Sequence, residues 1–410
     1  MSYLQGLRCQ RCGHSLAPAP VHICPECLGP LELVYDFAAM KAELRRDAVE
    51  AGPPSMWRYR SLLPVGDAPV VDLGTGLTPL LRADNLGRAL GLRNVYVKND
   101  AVNPTSSFKD RPVGVAATLA RAFGLDTLAC ASTGNLAASV AAHAARAGMR
   151  SVIFIPEDLE AAKITGTAVF GTNLIAVRGN YDAVNRLCAE AVDAYGWAFV
   201  NINLRPFYGE GSKTLAYETA EQLGWRAPDH VVAPIAGGSV LTRITAGFEE
   251  LQRLGWIPET KVRVSGAQAT GCNPVARAFA VGAERIQPVR PDTIAKSLAI
   301  GDPADGALAL AAIRRTGGAC ADVSDPEIVE GMRLLAETEG VFTETAGGVT
   351  VAVAKKLAHA GVLRPEETVV IYITGNGLKT LEALGAEVGP TATIAPRLEE
   401  IDRVLGSAAA

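Results

Sequence analysis

Aromatic side chains are scarce in this chain of 410 residues, at 6%, and neither charge sign dominates, with 39 Lys and Arg set against 43 Asp and Glu. No long run of like charge occurs. That excludes the basic footprint of a nucleic-acid binder and the polybasic strip of a protein held on an anionic membrane. Long apolar runs are also missing. The longest uncharged stretch, Thr127 to Ala145, carries Ser132, Thr133, Asn135, Ser139 and His143, which suits a buried strand and helix rather than a bilayer span. The opening Met1-Ser2-Tyr3-Leu4-Gln5 has no basic region ahead of an apolar core, so no secretory leader is expected and a cytoplasmic location is. No fixed-period repeat stands out, and only Ser407-Ala408-Ala409-Ala410 reads as a disordered tail.

Cysteine is sparse over most of the length, yet half of the eight lie within the first 27 positions. Cys9-x2-Cys12 and Cys24-x2-Cys27 each bring two thiolates toward one ion, and two such pairs across a short spacer predict a structural zinc ribbon. His14 and His22 are available as substitutes, but four sulfurs already complete a closed shell. Cys130, Cys188, Cys272 and Cys320 have no metal spacing and are expected to pack as small apolar residues.

The length predicts two large domains and a small module. From Val95 onward, strand-like runs alternate with Ala-rich helical stretches: Thr127 to Ala131, Ser151 to Ile155, Asn173 to Val177, Phe199-Val200, His230 to Pro234, Val262 to Ala267 and Val369 to Thr374. That alternation implies βαβ units and mostly parallel sheets covered by helices. Residues 28 to 80 read instead as a wrapping arm, with helical spacing from Phe37 to Glu50, a break at Pro53-Pro54, and Trp57-Arg58-Tyr59 laid on the body.

The centre of the pattern is Asn103-Pro104-Thr105-Ser106-Ser107-Phe108-Lys109-Asp110-Arg111. It follows the strand-like Asn94 to Lys98 and precedes the helix-like Val113 to Phe123, so Lys109 falls where open α/β sheets place chemistry. A lysine among hydroxyls, an aromatic ring and opposite charges suits a Schiff-base lysine, whose amine must reach its neutral form through its neighbours. Two later loops repeat a strand–loop–helix arrangement suited to anions. Ser132-Thr133-Gly134-Asn135 opens the helical run Leu136 to Arg146, and Ala236-Gly237-Gly238-Ser239 precedes another helix near Leu241. Helix starts offer unpaired N–H groups and a partial positive charge, and paired glycines let a backbone approach a phosphate. The segment Asn201 to Thr214 is not a P-loop, because Ser212 separates Gly211 from Lys213. Arg205 there can give two hydrogen bonds to a phosphate and Lys213 a point charge.

The nine-residue string resembles the cofactor-lysine motif of fold-type II pyridoxal phosphate enzymes, and within them the threonine synthase family, whose usual form has glycine where Ser106 stands. Gly74-Thr75-Gly76-Leu77-Thr78-Pro79-Leu80, the two loops just described and Thr374-Gly375-Asn376-Gly377-Leu378-Lys379 follow in the order of that family. The similarity spans roughly residues 70 to 380. It implies an α/β fold of two three-layer doubly wound domains with mostly parallel sheets, beside the N-terminal zinc-ribbon-like module. The expected division is 1–35 ribbon, 36–109 arm and first part of the large domain, 110–215 small domain, 216–400 rest of the large domain and 401–410 tail.

The resemblance also assigns roles. Lys109 carries pyridoxal 5'-phosphate, with Phe108 beside it. Asn135 bonds the cofactor's ring hydroxyl, Ala236, Gly237, Gly238 and Ser239 cradle its phosphate, and Thr374 faces its pyridine nitrogen. Ser132 and Thr133 take a substrate carboxylate, while Asn203, Arg205 and Lys213 border a leaving phosphate, with Lys296 a further anion ligand. Thr293 to Gly301 and Glu344 to Gly348 resemble other active-site borders. The implied activity is conversion of O-phosphohomoserine and water to threonine and phosphate by a homodimer. The alternative is a related β-eliminase or β-replacing enzyme, such as a threonine or serine dehydratase or cysteate synthase.

Overall fold

The structure is a computed structural model that describes residues 3–132, 134–179 and 181–406, with the side chains of Asp182, Ala386 and Glu387 outside that description. Among the described residues the strands are β1 (Leu4–Cys9), β2 (Ser15–Leu16), β3 (Leu31–Tyr35), β4 (Leu80–Arg82), β5 (Asn94–Asn99), β6 (Thr127–Ala131), β7 (Arg150–Pro156), β8 (Asn173–Val177), β9 (Ala198–Phe199), β10 (His230–Pro234), β11 (Arg263–Ala269), β12 (Cys320–Val323) and β13 (Thr368–Ile373).

They form three sheets. A six-stranded sheet runs β12-β11-β10-β13-β5-β4 and a four-stranded one β8-β7-β6-β9. Every pair in both is parallel except β4 with β5. β6 and β10 are buried along their whole length, and β13 from Val369 to Ile373. Their sequences are accordingly continuous small or apolar runs rather than alternating ones. One face of the large sheet packs on the helices Asp84–Leu90, Asp325–Glu339 and Thr345–His359 through Leu86, Ile328, Leu335 and Val353. The other packs on Thr214–Gln222, Ser239–Arg253 and Gly306–Thr316 through Leu215, Leu241, Phe248 and Ile313. The small sheet is likewise covered on one side by Asp110–Ala122 and Asn135–Ala147 and on the other by Tyr181–Tyr195.

The ribbon is the antiparallel sheet β2-β1-β3. Leu7, Cys9, Cys24 and Leu31 share one core with Trp57, Val71, Val113 and Leu119, so the module is packed onto the body. Tyr35 ends β3 and donates a hydrogen bond of 2.7 Å to Glu210 Oε2.

Three expectations change. The run from Phe37 to Glu50 is two helices, Phe37–Glu43 and Arg46–Glu50, because Leu44 and Arg45 are extended between them. β4 and β12 are strands beyond the expected set. A helix, Leu398–Leu405, occupies much of the stretch expected as tail, while Ser407 to Ala410 lie outside the described residues.

Candidate active site

The loops that leave β5, β6, β10 and β13 at their carboxyl ends converge on a cleft lined by Lys109, Ser132, Asn135, Gly237, Ser239 and Thr374, among others. Lys109, Asn135 and Ser239 arrive by the same device. A parallel strand delivers the chain to one edge, and the helix that follows presents its first turn there.

Lys109 immediately precedes the helix Asp110–Ala122. The turn before it is tied down by Asp110, whose carboxylate accepts from Thr105 N at 2.7 Å, Thr105 Oγ1 at 2.7 Å and Ser139 Oγ at 2.7 Å. Phe108 N donates to Thr374 O at 2.9 Å, which joins the lysine turn to the end of β13. Lys109 Nζ lies 3.0 Å from Tyr208 Oη and 4.7 Å from the centre of the Phe108 ring. Burial outweighs the favourable fields of Cys130 and Glu344 and lowers the amine to about 8. A lysine so placed reaches its neutral form near physiological pH.

Facing it, Gly238 (φ 96°) caps the fifteen-residue helix Ser239–Arg253. A side chain at Gly238 would meet the Asp305 carbonyl oxygen at 2.6 Å, whereas one at Gly237 would meet nothing nearer than Ile300 Cδ1 at 3.9 Å. Gly237 therefore leaves open, beside a helix N-terminus, the space that a phosphate needs. Two buried polar atoms of residues lining the cleft, Asn201 Oδ1 and Ser297 Oγ, lack a hydrogen-bond partner among the described residues. With the neutral-tending lysine, these features fit pyridoxal phosphate.

Asn135 begins the helix Asn135–Ala147 and is gripped from the large-sheet side. Its Nδ2 donates to Glu344 Oε1 and Oε2 at 2.8 and 3.0 Å, and its Oδ1 accepts from Lys379 Nζ at 3.0 Å. Ser132 Oγ accepts from Gly134 N and Ala137 N, both at 2.9 Å, and so caps that helix. Thr133 lies outside the described residues.

A family model described as pyridoxal-phosphate dependent enzyme matches residues 71–375. A threonine synthase from Methanocaldococcus jannaschii is 38% identical over 92% of this chain and 93% of its own length. One from Methanosarcina acetivorans is 36% identical over 91% and 92%. The chain belongs to the threonine synthase family of pyridoxal-phosphate-dependent enzymes. The fold is also similar to solved structures of an L-serine ammonia-lyase from Rhizomucor miehei, with TM-score 0.63 and 24% identity over 75% of this chain and 96% of the other. A threonine deaminase from Solanum lycopersicum gives TM-score 0.63 and 19% identity over 82% and 96%.

The segment expected to border a leaving phosphate divides. Arg205 starts the helix Arg205–Gly211 and lines the cleft, where it forms an ion pair with Asp305. Lys213 does not reach the cleft. It is buried between Glu210 at 2.5 Å and Glu250 at 2.7 Å, with the Tyr35 ring 4.9 Å away, and these two carboxylates hold its pKa up despite burial. Asn203 is turned inward too, donating to Trp197 O at 2.9 Å. Lys296 points to the exposed Asp158 at 3.3 Å. Tyr208 and Asn201, not singled out beforehand, line the cleft in their stead. Helical phase would have found Tyr208, since it and Ser212 fall on the face of Arg205 while Lys213 lies about 80° round.

At the other end of the chain, the Sγ atoms of Cys9, Cys12, Cys24 and Cys27 lie within 4.8 Å of one another. Cys9 and Cys27 are 3.4 Å apart and Cys12 and Cys24 3.6 Å. Four thiolates about 2.3 Å from a tetrahedral zinc lie about 3.8 Å apart, so the cluster fits that ion.

Proposed function

We propose that the protein converts O-phosphohomoserine and water to L-threonine and phosphate. Similarity to threonine synthases over more than nine-tenths of both chains supports the reading, and the observation that carries it is Lys109, poised near neutrality, in a cleft that also holds Arg205.

When bound, pyridoxal phosphate supplies the electron sink for the pair left at the substrate's α-carbon. Gly237, Gly238 and Ser239 would hold its phosphate, Asn135 its ring hydroxyl, and Thr374 its ring nitrogen. The neutral threonine hydroxyl does not enforce a charged ring, which favours elimination over transamination. Lys109 Nζ takes the α-proton and moves protons between Cα and Cβ, so that a Cβ–H bond breaks as phosphate departs, as a base of this pKa can do near neutral pH. Ser132 Oγ orders the helix start that receives the substrate carboxylate. Arg205 stabilises charge as the Cγ–O bond breaks and phosphate leaves. The oxygen of water adds at Cβ, and Cγ gains the proton that makes it a methyl group.

The same reading places a structural zinc on Cys9, Cys12, Cys24 and Cys27, makes residues 110–215 the small domain, and pairs the chain as a cytoplasmic homodimer. With O-phosphohomoserine as substrate, Lys109→Ala is expected to abolish turnover and the visible absorbance of the bound cofactor. Arg205→Ala is expected to keep the absorbance and lower turnover about 100-fold, in the range for losing one charge-stabilising donor. Full turnover by either variant contradicts the assignment.

A further inference from the structure

Arg205 and Asp305 reach the cleft from opposite sides. Arg205 opens the helix Arg205–Gly211 beside the small sheet, and Asp305 caps the helix Gly306–Thr316 over the large one. One guanidinium nitrogen, Nη2, contacts one carboxylate oxygen, Oδ1, and the two side chains are 41% and 21% exposed. Ion pairs as wet as this are weak. A dianionic phosphate that engages two guanidinium donors competes well against a single carboxylate contact.

Asp305 is anchored independently of that pair. Its N–H donates to Gly237 O at 2.8 Å, and its carbonyl packs where a side chain at Gly238 would stand. The backbone that carries this carboxylate is therefore held by the glycine loop, whereas Arg205 has the long, half-exposed side chain. The nearby Arg243 does not take over the carboxylate, because its guanidinium is bonded to Glu210 at 2.6 Å.

Resting on the reading of the cleft given above, we propose that Asp305 is a specificity-determining residue. It occupies Arg205 until the phosphate of the substrate displaces it, and it recovers Arg205 when phosphate leaves. An amino acid with a hydroxyl in place of the phosphate brings no charge to exchange and leaves the pair closed. The carboxylate thus raises the threshold for entry and limits inhibition by product phosphate.

The test is inorganic phosphate, titrated into the cofactor-loaded protein by calorimetry and as an inhibitor of O-phosphohomoserine turnover. Asp305→Asn is expected to tighten phosphate binding roughly two- to fivefold, the coupling typical of partly exposed pairs. Asp305→Glu is expected to restore the original value. Asp302→Asn, which removes a charge from the same wall, is expected to have under half that effect. In an Arg205→Ala background, Asp305→Asn is expected to have no more effect than Asp302→Asn. Unchanged phosphate affinity in Asp305→Asn, or tightening that persists undiminished without Arg205, overturns the proposal. So does loss of the cofactor's absorbance in Asp305→Asn, which would make Asp305 a prop for the glycine loop. The calorimetric arm needs no turnover. A chain that shows this pattern of couplings yet leaves O-phosphohomoserine intact contradicts the proposed reaction alone.

Discussion

Two residues show how local chemistry is set. Lys109 is lowered to about 8 chiefly by burial, so its neutral fraction grows as pH rises through that value. In cofactor-free protein, the rate at which pyridoxal phosphate restores absorbance is expected to climb tenfold per pH unit below about 8 and level off above it. A rate flat between pH 6 and 9 contradicts the assignment. Ser106 stands at φ 60°, the left-handed region, where the resembled motif has glycine. Its N–H donates to Asn103 O at 2.7 Å, and its carbonyl accepts from Asn376 N at 3.1 Å, so the conformation is imposed from both sides. Ser106→Gly is expected to be neutral or to stabilise by up to about 1 kcal/mol, and Ser106→Val to cost about 2 kcal/mol, read from denaturant midpoints. At this scale the sequence was informative wherever a residue sits in a strand-end loop, as Lys109, Asn135 and Gly237 do. It misled at Lys213 and Asn203, because which face of a short helix or turn meets the cleft depends on where that element begins. Asp305, a hundred positions beyond Arg205, has no local signal at all.

Among elements, the helix Asp110–Ala122 is the keystone, and it is fastened by charge as well as apolar burial. Arg111 is fully buried and bonds Asp100 Oδ2 at 2.6 Å and Glu218 Oε1 at 2.5 Å. Lys98 adds a bond of 2.7 Å to Glu218 Oε2, and Leu77 N one of 2.7 Å to Oε1. Burial alone would raise the Glu218 carboxyl, but Arg111 and Lys98 prevail and lower it to about 2. A depressed carboxyl contributes stability that is complete above its unfolded value of about 4.3 and is lost as pH falls toward the folded one. Glu218→Gln leaves two buried cations short of a partner and is expected to cost about 3–5 kcal/mol at pH 7. The gap from wild type should narrow as pH drops from about 4.5 to 2, and a gap independent of pH in that window counts against the network. The parallel strands and their helices were legible in the alternation of apolar runs. The partners that satisfy Arg111 were not, since Asp100 and Glu218 arrive from two separate elements.

For the molecule as a whole, the question is why a ribbon accompanies a catalytic body. Its sheet shares a core with the small-sheet side, and Tyr35 bonds Glu210 on the same short helix that carries Arg205 and Tyr208. About one zinc per chain is expected by elemental analysis, and Cys24→Ser should lose it. Metal removal should lower the unfolding temperature while the cofactor's absorbance persists in the folded protein. Unchanged stability after complete chelation contradicts a structural zinc. One reaction tests the proposed activity most directly. Purified holoenzyme given O-phosphohomoserine should release phosphate and L-threonine in equal amounts, in step, and stop doing so when Lys109 is replaced. Phosphate without threonine, or neither product while the cofactor stays bound, would contradict it.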